Sequence, residues 1–80
     1  MRYYNVYLKE KYLQTYQLNV GQTKVFDAYK KILAASIERT SLNNYVVIVI
    51  YRQDRVVNER CTSMTSAFDL IKSLYASEDV

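Results

Sequence analysis

The chain has no histidine, tryptophan or proline, a single glycine (Gly21) and a single cysteine (Cys61) in 80 residues. Each absence excludes something. Without histidine the commonest general base and metal ligand is missing. One thiol can neither close an internal disulfide nor supply the ligands of a zinc site. One glycine cannot build a phosphate-cradling loop, and neither a Walker pattern nor G-x-S-x-G occurs. On a strand, Arg60 would point away from Cys61, so the thiol lacks an activating cation and reads as inert. Asp27 and Asp69 suit the first turns of helices, and Glu10, Asp54 and Glu59 suit solvated hairpin positions. The expectation is a chain with no catalytic residues, no metal and no cofactor.

No apolar run is long enough to span a membrane. The opening "MRYYNVYLKEK" alternates and turns charged, unlike a signal peptide. A cytoplasmic domain without a membrane partner is expected, in the host-cell cytoplasm if the chain is viral.

What is present is distinctive. Half of the residues are hydrophobic, nine are tyrosine, and the formal charge is +3. That is ample for one small globular domain, and only a mild bias toward polyanions.

Residues 3 to 8, "YYNVYL", alternate as a strand does, and "YLQTYQLNV" after the charged "KEK" reads as its hairpin partner. Thr23 resembles an N-cap, and Phe26, Tyr29, Ile32, Leu33 and Ile37 recur at three- and four-residue spacing. That pattern predicts an amphipathic helix over about 24 to 39. "YVVIVIY" at 45 to 51 is β-branched and aromatic throughout and reads as a strand. "RQDR" turns the chain into a fourth strand, "VVNERC", whose adjacent Val56 and Val57 leave its facing open. Thr65 or Ser66 caps a last helix with the stripe Ala67, Phe68, Ile71, Leu74 and Tyr75, and "SEDV" is expected to fray.

A shift of 42 residues brings Thr23, Phe26, Asp27, Lys30 and Ala34 onto Thr65, Phe68, Asp69, Lys72 and Ala76. This suggests a ββα unit used twice, over 2–40 and 44–77, within a single domain spanning 1–80. The expected fold is therefore α+β: a two-layer ββαββα sandwich, its four-stranded, mostly antiparallel sheet covered on one face by two helices. Val46, Ile48 and Ile50 would then point to the helices. The opposite face would show Tyr3, Tyr7, Tyr45, Val47, Val49 and Tyr51, an apolar patch of the kind that marks interaction sites.

Two uses of that face follow. The first is protein binding: a small non-enzymatic module of inhibitor, antitoxin-like or accessory type, such as phages and mobile elements encode. Its partner is another protein, with a homodimer as a compatible arrangement. The alternative is single-stranded nucleic acid, RNA included, with bases stacked on the tyrosines and phosphates held by Lys9, Lys11, Arg52 and Arg55 at the hairpin turns.

Overall fold

A computed structural model describes residues 18–79 of the chain. The expected first hairpin lies almost wholly outside them, as do Tyr3, Tyr7, Lys9 and Lys11. The described residues form β1 (Thr23–Phe26), β2 (Ile32–Ser41), β3 (Asn44–Tyr51), β4 (Val56–Cys61) and a closing helix α1 (Met64–Ser77). The four strands make one antiparallel sheet in the order β1-β2-β3-β4, and α1 packs across β2, β3 and β4. The α+β class holds, with one helix among the described residues rather than two.

The segment read as a helix over 24–39 is instead the β1–β2 hairpin. Lys24 pairs with Ile37 and Phe26 with Ala35. Its helical spacing arose because the inward residues Phe26, Ile32, Ala35 and Ile37 fall on a strand, a turn and a bulged strand. A shift in register between Ile32 and Ala34 breaks the two-residue period. The turn is tight: Tyr29 and Ile32 exchange backbone hydrogen bonds of 2.9 and 2.8 Å across Lys30 and Lys31. Lys30 supplies the left-handed backbone, at φ 53°, that glycine or asparagine usually supplies. Pairing in the sheet outweighs a helical propensity worth only tenths of a kcal/mol per residue.

Among the described residues the 42-residue repeat therefore has no structural counterpart. Thr23 and Phe26 are strand residues, whereas Thr65 and Phe68 lie in α1. The two phenylalanines do meet, with ring centroids 6.1 Å apart, as a strand residue and a helix residue in one core.

The strands at 45–51 and 56–61 and the final helix stand as expected. The β3–β4 loop, Arg52 to Asp54, closes with Tyr51 N–H donating to the Arg55 carbonyl at 2.8 Å and Asp54 in the left-handed region at φ 60°. Aspartate tolerates that conformation better than most side chains. The helix cap lies slightly earlier than expected: Ser63 Oγ accepts from Ser66 N–H at 3.1 Å. Ala67, Ile71 and Tyr75 form its buried stripe, with Phe68 and Leu74 half-buried beside them.

The sheet faces the other way from the expected assignment. Tyr45, Val47, Val49 and Tyr51 lie under the helix at 8, 0, 0 and 4% exposure. Val46 and Ile48 lie on the reverse side, half-buried, and Ile50 there is exposed. Ala35 and Ile37 of β2 and Val57 of β4 complete the covered face, which also settles the facing of β4. Ile37, Val47 and Val49, fully buried in this set, each contribute roughly 1.5–3 kcal/mol of hydrophobic stabilisation.

Candidate interaction surface

Because opposite residues in an antiparallel pair share a face, the register defines the reverse side of the sheet strand by strand. Thr23 and Val25 come from β1; Ala34, Ser36 and Glu38 from β2; Val46, Ile48 and Ile50 from β3; Val56, Asn58 and Arg60 from β4. Ala34, Ile50 and Val56 stand side by side across three strands, with Leu33 at the adjacent bulge. The next row is Val25, Ser36, Ile48 and Asn58. A third row sets Val46 between Glu38 and Arg60, so the apolar surface passes into a charged margin at one end.

Several of these groups are open to solvent. Val25 is 65% exposed, Val56 57%, Leu33 47% and Ile50 38%. Sequence reasoning assigned Ile50 to the core and left Val56 undecided. The signal that would have placed them is the composition of β3 itself. Its two tyrosines at the strand ends need a polar partner for ring or hydroxyl at the rim of a core, whereas valine and isoleucine do not.

Those tyrosines are held by arginines. The Arg55 guanidinium lies 4.0 Å from the Tyr51 ring centroid, and that of Arg39 lies 5.4 Å from the Tyr45 ring. Arg39 also ties Leu18, ahead of β1, to the β2–β3 turn. Its Nη1 donates to the Leu18 carbonyl and its Nη2 to the Leu42 carbonyl, both at 2.7 Å. Arg52 joins two turns at the opposite end, donating from its backbone N–H to Lys31 O and from Nε to Lys30 O, each at 2.9 Å. Arg52 and Arg55, expected at a phosphate-binding rim, are exposed but already engaged in holding the loops together.

The end of α1 is tied down rather than frayed. Tyr29 donates its hydroxyl to Asp79 Oδ1, and Lys30 Nζ sits 3.1 Å from the same oxygen. Lys31 N–H donates to Glu78 Oε1 at 3.2 Å. Tyr75 stacks beside Tyr29 and donates its hydroxyl to the Asp27 carbonyl at 2.6 Å. The hydrogen bond to Asp79 raises the pKa of Tyr29, with burial adding to it, and the contact with Asp79 likewise raises Lys30. These ties compensate for two carboxylates at the negative end of the helix dipole.

Cys61 faces the covered side beside Tyr45, and burial followed by the Glu59 carboxylate pushes its thiol up, away from a reactive thiolate. Among the described residues, no three His, Cys, Asp or Glu side chains gather as a metal site, and no helix is long and apolar enough to cross a membrane.

Compared with protein-family models, curated proteins and solved structures, the chain matches none. The face that the described residues leave uncovered therefore rests on its own chemistry.

Proposed function

We propose that the chain is a small non-enzymatic binding module that acts by occupying a protein partner through the face of the sheet opposite α1. The observation that carries this reading is the exposure of Val25, Leu33, Ile50 and Val56 on one side of a sheet whose other side packs against α1. An antiparallel sheet turned to water ordinarily alternates to polar residues on that side. An apolar centre with a charged margin, here Glu38 and Arg60, is the anatomy of a protein interface. The partner expected is accordingly an apolar protein surface bearing charges at its rim. Inhibitor, antitoxin-like and accessory roles all fit such an occupying mode.

Protein is favoured over single-stranded nucleic acid by the same face. Tyr45 and Tyr51, two of the four tyrosines expected to stack bases, are packed beneath the helix, and the other two, Tyr3 and Tyr7, lie outside the described residues. Among the described residues the uncovered face carries no aromatic ring, and aliphatic side chains do not stack bases.

The test is affinity capture with the wild-type chain, with Ile50→Lys and with a control, Ser73→Lys, on the exposed side of α1, each with and without nuclease. A protein retained stoichiometrically by wild type and control, resistant to nuclease and lost with Ile50→Lys, is the expected result. Retention that Ile50→Lys leaves untouched, or material that disappears on nuclease treatment, would overturn the reading.

A further inference from the structure

The outer edge of β4 is a second surface, distinct from the uncovered face. The hydrogen bond from Tyr51 N–H to Arg55 O makes these two a bonded pair of the hairpin. Bonded and non-bonded pairs alternate along an antiparallel ladder. Val57 and Glu59 therefore bond to β3, while the backbone groups of Val56, Asn58 and Arg60 point outward. No described strand lies beyond them. Proteins usually guard such an edge with proline, a bulge or lysine. β4 has no proline, bulge or lysine, only the charges of Glu59 and Arg60, and its register with β3 runs regularly from Val56 to Cys61.

The residues along this edge, "DRVVNER" from Asp54 to Arg60, have a charge order that complements its own reverse. Take a second copy antiparallel to the first, with a two-fold axis at Val57. Arg55 then stands opposite the partner's Glu59, and Glu59 opposite the partner's Arg55. Asp54 and Arg60 extend the same match into the turn, and Val57 meets its own counterpart on the axis. Shifting the axis to Asn58 sets Glu59 and Arg60 against valines, and shifting it to Glu59 sets two carboxylates together. Opposite charges facing across strands stabilise and like charges destabilise, so one register stands out.

We propose that β4 is the seam of a homodimer formed by antiparallel strand addition about Val57. The two-fold runs perpendicular to the sheet, which joins the two sheets edge to edge into one. Both copies of α1 lie on one side, and both uncovered faces lie side by side on the other. The seam does not depend on what those faces bind, so its failure would leave the Ile50→Lys result standing.

Sedimentation of the full chain tests the proposal. Wild type is expected to dimerise reversibly. Glu59→Lys, which sets an ammonium against the partner's Arg55 at both ends of the seam, should weaken the dimer about tenfold or more. The double variant Arg55→Glu with Glu59→Lys restores it. Because Arg55 also packs on Tyr51, hydrogen exchange of the wild-type chain supplies a second readout that needs no variant. The amides of Val56 and Asn58 should gain protection as concentration rises. A chain that stays monomeric, a dimer indifferent to Glu59→Lys, or concentration-independent exchange at these two amides would each overturn the seam.

Discussion

The two sides of β3 differ by one residue in sequence and by almost everything in environment. Val47 and Val49 are wholly enclosed by α1, while Ile50, the next residue along, is 38% exposed. Hydrophobicity does not separate them, since isoleucine is at least as apolar as valine. What separates them is what each side meets. The inner side finds Ala67, Ile71 and Tyr75 of α1 and is closed at its ends by two arginine-capped tyrosines. On the outer side, the described residues provide only the edges of neighbouring strands. Packing density decides which apolar side chains stabilise the fold, and the remainder are free for other work.

That contrast can be broken from the covered side first. Ile71→Ala removes a fully buried side chain where helix meets sheet. A loss of about 2–5 kcal/mol in a denaturant titration is expected. Tyr75→Phe keeps the ring packing but removes the donor to the Asp27 carbonyl, so about 1–2 kcal/mol should be lost in the same titration.

The clamp at the end of α1 gives a pH-dependent version of the comparison. Tyr29 and Lys30 both have raised folded-state pKa values. Their contribution is fully present below the unfolded values, near pH 10, and is lost as pH rises through the folded ones. Thermal melts above about pH 10 should fall more steeply for wild type than for Asp79→Asn, which weakens the contact that raises both groups. The smallest effect belongs to the open side. Val25→Thr there should change stability by less than about 0.5 kcal/mol in a denaturant titration.

Much of this molecule was legible in its sequence, and the parts that were not have identifiable causes. β3 and β4 declared themselves through β-branched residues and a polar turn, and α1 through its stripe and a cluster of capping hydroxyls. The β1–β2 hairpin did not, because its turn uses Lys30 and Lys31 where punctuation by glycine, asparagine or proline would have marked it. Its bulge then mimicked a helical period. The facing of the sheet was misassigned because β3 is apolar on both sides, so alternation carried no information. It was tied instead to a repeat whose expected first helix is the β1–β2 hairpin. The candidate surface moved with it, from Tyr45, Val47, Val49 and Tyr51 to the residues between them and their neighbours across the sheet.

The most direct measurement is a pair of thermal melts followed by circular dichroism, on Val49→Lys and Ile50→Lys. Burying an unpaired charge at Val49 should cost more than about 4 kcal/mol, comparable with the whole stability of a domain this small, and abolish the cooperative transition. Ile50→Lys should melt within a few degrees of wild type. Equal losses, or an unfolded Ile50→Lys beside a folded Val49→Lys, would contradict the assignment of one face to the core and the other to a partner.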